Sequence, residues 1–423
     1  MNRRTLLTGL AALPGAAQAA PAAFAGADDE AYWRGIAAQY DVTREVIQLE
    51  NGNWGMMARP VLEAYKEQLA RVNRDTSYYT RRRFGADAMA VRDALAAELG
   101  IPADEIAFTR NATEALKALI LGYNRLQPGD AVLYADLDYD SMQDCMEHLR
   151  VRRGVSVVRI ALPEPATRQA LIDAYATAFD ANPRLKMVLL THLSHRTGLV
   201  LPVREIAALA RARGIDAIVD AAHSWGQLDM SLADLDCDFV GINCHKWLGA
   251  PLGVGAIHIR KTALSRIDRD PAEPAEGRDT VSARVHPGTS DFAALLTVPA
   301  ALAFQQAIGR SRRAARLRAL RDRWVKAVRP LAGIEVLTPD DVALHGGITS
   351  FRFRGVTAVK DNVALAARLL ERHRIFTVYR DGPAKGACVR VTPALFNSLE
   401  EMDMLARALV AESSRGGFAG GPA

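Results

Sequence analysis

Three groups of residues in this sequence carry chemistry that ordinary packing does not ask for. Lys246 stands in "GINCHKWLGAP", directly after the apolar run "DFVGI". A lysine is rarely buried unless it is paired. Held at the end of a strand in a desolvated pocket, its amine has a lowered pKa and is a nucleophile toward an aldehyde. Asp220 closes the run "IDAIVD" and is followed by two alanines. Such a carboxylate is partly buried and needs a cation beside it. The third group is "TRNATEAL", Thr109 to Leu116, at a strand-to-helix turn. Backbone N–H groups at a helix start, with the Thr113 hydroxyl, make a seat for phosphate. Each group alone has a plainer reading: a solvated lysine, an N-cap or ion-paired aspartate, an ordinary helix cap. Together they describe one ligand with an aldehyde, a protonated ring nitrogen and a phosphate, which is pyridoxal 5′-phosphate.

The elements that must position these residues alternate along the chain. "EIAFT", "AVLYA", "VSVVRI", "LKMVLLTHL", "IDAIVDAA", "DFVGIN" and "GVGAIHI" read as strands. "NATEALKALILGYN", "DSMQDCMEHLRVRR", "RQALIDAYATAF" and "VREIAALARARG" read as helices between them, the first capped by Asn111 or Thr113. Continuous β-branched runs separated by amphipathic helices predict an α/β fold, a mainly parallel sheet of seven strands with helices on both faces. Ligands of such sheets bind beyond the C-terminal strand ends, where Lys246, Asp220 and "TRNATEAL" all fall. Before the sheet, residues 31–50 read as a helix and turn, 60–73 as a helix and 85–99 as a helix stopped by Gly100. After it, 265–290 is a long polar loop, 292–330 is helical, and 331–414 is a smaller α+β unit of short strands and two helices. In "GRSRRAARLRALRDRWVKAVRP", Leu317, Leu320, Trp324 and Val328 recur on one helical face, which predicts a packed helix with a solvated basic face rather than a nucleic-acid element.

Bulk properties limit the rest. The chain has 423 residues, 49% hydrophobic and 24% charged, enough for a large core in two or three domains. Its net charge of +5 includes Arg3 and Arg4, and so small an excess does not indicate nucleic acid. Four cysteines, Cys145, Cys237, Cys244 and Cys388, do not form a disulfide scaffold. No CxxC pair is present and the neighbours Cys244 and His245 are poorly placed to share one ion, so no metal is expected. Gly253-x-Gly255 lacks the third glycine of a dinucleotide fingerprint. The N-terminus "MNRRTLLTGLAALPGAAQAA" has two arginines, a short apolar stretch and the small-x-small sequence Ala17-Gln18-Ala19. It resembles a twin-arginine export signal, from which periplasmic or exported localisation in the folded state follows. No later segment reads as a membrane span.

The motifs "VDAAHSWGQ", "CHKWLGAPLGVG", "TRNATEAL" and "VRVTPALFNSLEEMD" resemble the class V aminotransferase family of fold-type I pyridoxal-phosphate enzymes over roughly residues 45–410. "NCHKWLGAP" is most similar to its isopenicillin N epimerase branch. The resemblance implies a residue-by-residue assignment. Lys246 would form the Schiff base with the cofactor and be the catalytic acid/base. Asp220 would bind the ring nitrogen, His223 would lie near the phenolic oxygen, and Tyr139 would stack on the pyridine ring. Ala112 and Thr113 would hold the phosphate, helped by His245 and by Asn243, where many relatives carry serine. Thr289 would reach the phosphate of a neighbouring subunit in a homodimer with shared sites. Arg390 would pair with the α-carboxylate of an amino-acid substrate through a bidentate guanidinium contact, and Asn53 would face the substrate.

The family runs several reactions from one α-carbanion: epimerisation, transamination and C–S lysis. The desulfurases of the family use a loop thiol, and the matching loop here, "VYRDGPAKGA", has none. The resemblance favours an epimerase-like enzyme. Aminotransferase or C–S lyase activity is the alternative within the family, and a non-catalytic exported binding protein the alternative outside it. The expected organisation is a signal and linker over 1–27, an N-terminal segment over 28–60 that packs on the small domain, a large cofactor-binding domain over 61–310, a small domain over 311–414 and a disordered tail over 415–423.

Overall fold

The structure is a computed structural model that describes residues 26–274 and 276–415. The arginine pair and cleavage site expected at the N-terminus lie outside the described residues, as does the expected tail beyond Arg415. The chain opens with α1 (Glu30–Ala37), β1 (Ile47–Gln48), α2 (Arg59–Tyr79) and α3 (Gly85–Leu99). An alternating run follows: β2 (Ile106–Thr109), α4 (Ala112–Gly122), β3 (Ala131–Ala135), α5 (Asp140–Arg153), β4 (Ser156–Ile160), α6 (Arg168–Ala181), β5 (Leu185–Thr191), α7 (Val203–Ala212), β6 (Asp216–Asp220), β7 (Phe239–Asn243) and β8 (Gly255–Ile259).

These seven strands form one sheet in the order β2-β8-β7-β6-β5-β3-β4. Only β8 runs against its neighbours, β7 and β2. Because alternate side chains point to opposite faces, the strands feed two apolar clusters. Leu133, Val188, Val219 and Val240 pack with α3, α6, α7 and the later helix α8 (Phe292–Ile308). Val132, Met187, Ile218 and Phe239 pack with α4 and α5 on the other face. The order reverses where β5 returns to the far side of β3, so the loops after β3 and β5 diverge and open a crevice.

The remaining elements are α9 (Arg310–Val328), β9 (Ile334–Val336), β10 (Thr349–Phe353), α10 (Val359–His373), β11 (Ile375–Phe376), β12 (Val378–Arg380), β13 (Cys388–Val391) and α11 (Leu399–Arg415). Strands β12-β13-β10-β9 make an antiparallel sheet, and β1 pairs in parallel with β11. The N-terminal segment is thereby tied to the C-terminal unit. Trp324, Phe351, Leu369 and Leu405 centre the core of that unit.

Four local expectations are corrected. The helix over 292–330 is two helices, α8 and α9, bent by 74° at Gly309, whose φ of 93° is open to glycine. The basic face of α9 is not simply solvated: Arg313, Arg316 and Arg321 are buried. Each finds acceptors there, Arg316 in Glu30 and the Ala27 and Asn397 carbonyls, Arg321 in Asp322 and Thr338, and Arg313 in Gln305. "IFTVYR" is two strands in separate sheets, because its first half meets the N-terminal segment and its second half meets β13. The helix expected over 60–73 also runs on to Tyr79, with a break at Thr76. Among the described residues no single helix is long and apolar enough to cross a membrane.

Trp324 is fully buried against Phe351. Trp324→Ala should destabilise the C-terminal unit by about 3–5 kcal/mol, read as a lowered urea midpoint of that unit's unfolding step.

Candidate active site

The C-terminal ends of the large sheet and the face of the small one enclose a cavity of about 600 Å³. Ten of the residues singled out in the sequence line it: Asn53, Ala112, Thr113, Tyr139, Asp220, His223, Asn243, His245, Lys246 and Arg390. Thr289 does not. It lies exposed in the loop before α8, outside the cavity of its own chain.

Lys246 follows β7 in a turn closed by hydrogen bonds from Gly249 N–H to the Lys246 carbonyl (3.1 Å) and from Ala250 N–H to the Cys244 carbonyl (3.1 Å). The N-terminal loop lies across this turn, Gly55 N–H donating to the His245 carbonyl at 2.8 Å. A side chain at Gly55 would put its Cβ 1.8 Å from the Lys246 carbonyl oxygen, so only glycine allows this approach. Lys246 Nζ is 2.9 Å from His223 Nε2, and Trp247 Nε1–H donates to His223 Nδ1 at 3.4 Å. Indole N–H is a donor only, so a neutral His223 accepting at Nδ1 carries its proton on Nε2. That proton is offered to the lone pair of a neutral amine. Burial pushes the His223 pKa well below its ordinary value, and the charge of Lys246 adds to the effect. The Lys246 pKa falls to about 8, again through burial, partly offset by the charge of Asp220.

Asp220, at the end of β6, is 5% exposed. It accepts one hydrogen bond, from Ala222 N–H at 2.8 Å, and among the described residues no cation stands within salt-bridge distance. Burial raises its pKa. The cation inferred for it from the sequence is therefore not supplied by the chain. A second buried carboxylate, Asp138, accepts from Ala135 N–H (2.7 Å) and Thr191 N–H (2.9 Å) and is pushed up to about 7 by burial. It pins the loop after β3 to the end of β5 and so fixes Tyr139.

At the start of α4, Asn111 is the cap, accepting from Glu114 N–H at 2.9 Å. The part expected of Ala112 and Asn243 is modified. Ala112 N–H already donates to Asn243 Oδ1 at 2.8 Å, which turns the Asn243 amide donors, rather than the Ala112 N–H, to an incoming anion. The Thr113 hydroxyl has no protein partner among the described residues. His245 Nδ1 is 3.2 Å from the Val254 carbonyl, which orients its ring.

Arg390, in β13, is 1% exposed. Its Nη2 donates to both oxygens of Glu50 at 2.6 Å, and its Nη1 to the His195 carbonyl at 2.7 Å. Burial lowers its pKa to about 10. Glu50, Arg380 and His195 were not found from the sequence. Signals for them existed: a carboxylate ends the extended run "VIQLE", and the strand-end rule that selected Asp220 also points past β5 to Thr191 and His195. His195 lies edge-on to Tyr139, ring centroids 5.2 Å apart. Asp140, beside Tyr139, is held by Arg196. All four cysteines are free, and none lines the cavity.

An anion seat, a buried carboxylate without a cation and a neutral amine on one cavity wall suit a phosphate-bearing aldehyde with a basic ring nitrogen. Comparison with known proteins agrees. The family model for class-V aminotransferases matches residues 56–403. The chain is similar to isopenicillin N epimerase from Streptomyces clavuligerus, 31% identical over 380 residues that cover 86% of this chain and 94% of that protein. It is also similar to isopenicillin N epimerase from Amycolatopsis lactamdurans, 30% identical over 395 residues covering 89% and 98%. Among solved structures, the fold is like that of a cysteine desulfurase from Thermococcus onnurineus NA1, with a TM-score of 0.75 at 21% identity over 90% of this chain and 98% of that one. The cystine C–S lyase C-DES is alike to the same degree, TM-score 0.75 at 22% identity over 90% and 99%. The chain belongs to the class-V aminotransferase family and is a pyridoxal-phosphate-dependent enzyme.

Proposed function

We propose that this enzyme is epimerase-like, acts at the α-carbon of an amino acid, and works as an exported homodimer. The observation that carries the chemistry is the pairing of Lys246 Nζ with His223 Nε2 at 2.9 Å on the wall that also holds Asp220.

The residues fit the cofactor. Asp220, buried without a cation of its own, matches a protonated ring nitrogen. The Thr113 hydroxyl and the Asn243 amide, with His245 beside them, match the phosphate. Bound there, pyridoxal phosphate supplies an electron sink for charge that develops at the substrate α-carbon. The chain does the rest. Lys246, whose amine burial makes easier to deprotonate and to which His223 offers Nε2–H, would hold the aldehyde and, once released from it, would be the base for the α-proton. Tyr139, fixed by Asp138 and by its edge contact with His195, would cover one face of the ring. Arg390 receives the carboxylate and sets which bond of the α-carbon is presented. Inversion needs a second proton donor, and Tyr139, Thr191, His195 and Tyr379 are protic groups of the wall that could supply it. The similarity to two isopenicillin N epimerases over nearly their whole lengths favours inversion as the outcome.

Export rests on the Arg3-Arg4 segment and the small-x-small site. It suits a protein that takes up its cofactor before leaving the cytoplasm. The dimer rests on Thr289, exposed in its own chain and assigned by resemblance to a neighbour's phosphate.

Protein freed of cofactor should recapture added pyridoxal phosphate with a rate that rises with pH about a midpoint near 8, where the Lys246 amine loses its proton. Trp247→Phe releases His223 to take the other tautomer and accept from an ammonium, so the midpoint should move upward, as followed by absorption. In the wild type a visible absorption band that is lost or altered in Lys246→Ala is expected. Amino acids incubated in deuterated water should exchange the α-proton with inversion, without keto acid or pyruvate. A protein that stays colourless with added cofactor sinks the reading. In the full-length chain, Arg3→Lys with Arg4→Lys should hold the enzyme in the cytoplasm, and the exported enzyme should sediment at twice the chain mass.

A further inference from the structure

We propose that Arg380 is a second guanidinium for the substrate carboxylate, acting beside Arg390 and needed because Glu50 cancels the charge of Arg390. This rests on reading the cavity as an amino-acid site.

The sheet register brings the two arginines together. Val378 of β12 stands opposite Arg390 of β13, and Arg380 stands opposite Cys388. Arg380 is thus two residues from the position facing Arg390 and on the same face, a diagonal neighbour about 7–8 Å away. Both line the cavity, whereas Glu50 is not part of its wall.

Their hydrogen bonding differs. A buried guanidinium without a counter-charge is costly, and Glu50 meets that need for Arg390 with two 2.6 Å contacts. The pair has little net charge left to offer a ligand. Arg380 stands 3.7 Å from the same Glu50 and donates one long bond, 3.3 Å, to the Tyr379 carbonyl. The Nε of each arginine is buried without a partner, so the two differ in their terminal nitrogens: both of Arg390's are taken, and Arg380's make one long bond and one distant ion pair. Two guanidiniums sharing one carboxylate leave a single positive charge at this pair of strands, which matches one substrate carboxylate. The other acidic groups of the cavity do not remove it. Asp220 ends β6 of the large sheet and is the match for the cofactor ring nitrogen. Asp140 is taken by Arg196, and Asp381 is exposed to solvent, where water screens it.

The test is calorimetric titration of the cofactor-loaded protein with propionate, a carboxylate without an amine, and propylamine, an amine without a carboxylate. Arg380→Met should weaken propionate at least about tenfold, the scale of one hydrogen bond to a charged group, and leave propylamine unchanged. Arg380→Lys should recover part of the loss. The double change Arg380→Met with Glu50→Gln, which restores the single positive charge, should also recover propionate binding. Equal propionate affinity in wild type and Arg380→Met, or equal losses for both probes, overturns the assignment. No recovery in the double variant overturns the role given to Glu50. The absorption of the same samples reports cofactor loading separately. A colourless sample counts against the cofactor reading, while the propionate titration still decides on Arg380.

Discussion

The structure depends on the cost of placing charge in a dry crevice. Lys246 sits where neither solvent nor an adjacent carboxylate fully supports an ammonium, and the result is an amine that titrates near 8. Every neighbouring element serves that placement. Asp220 and Gly241 are partners in the parallel register of β6 and β7, which brings the carboxylate alongside the strand that leads to the lysine. Gly241 leaves room for Leu116 of α4, whose side chain would otherwise stand 2.8 Å from a Cβ. The helix carrying the anion seat therefore packs directly on the strand carrying the amine. The Gly55 loop seals the turn from the other side.

The same cost explains why the wall is full of partial pairings. Asp220 has one backbone donor and no cation, Arg390 has a counter-ion but no spare charge, and Arg380 has charge but few bonds. In a purely structural network such deficits are unfavourable and tend to be reduced, as for Arg316 and Arg321 in α9, whose terminal nitrogens find a carboxylate and further acceptors although each Nε stays unpartnered. Concentrated in one cavity, they mark where ligand groups complete the network. Asp138 is the contrasting case. Its two backbone donors fully employ it in holding the Tyr139 loop.

Periodicity made the large sheet legible. Runs such as "LKMVLLTHL" and "IDAIVDAA" are buried on both faces and leave little choice but parallel strands. Lys246, Asp220 and Thr113 were legible because strand ends and helix starts are local features. What escaped was set by contacts between distant segments. Glu50 acquires meaning only when β1 joins β11 and the bridge from Glu50 to Thr392 lays it beside Arg390. The burial of Arg316 depends on Glu30 and Asn397, far away in the chain. The break at Gly309 was present as a glycine, but the apolar pattern on both sides continued through it.

The chemistry of the wall bears on one of the reactions that this fold permits. Transfer of sulfur to the protein requires a thiolate that can reach the bound substrate. Cys388 is nearest in sequence to the carboxylate-binding arginine, yet it is fully buried in β13, its thiol directed to the Arg196 carbonyl at 3.8 Å and pushed up to about 11 by burial. Cys237 and Cys244 are buried and pushed up to about 12. Cys388 shares the strand face of Arg390, but its thiol is buried against the Arg196 carbonyl and does not line the cavity. The ionisable groups that line the cavity are oxygen and nitrogen acids and bases. Such groups move protons rather than sulfur, which suits the proton removal at the α-carbon that the family's reactions share.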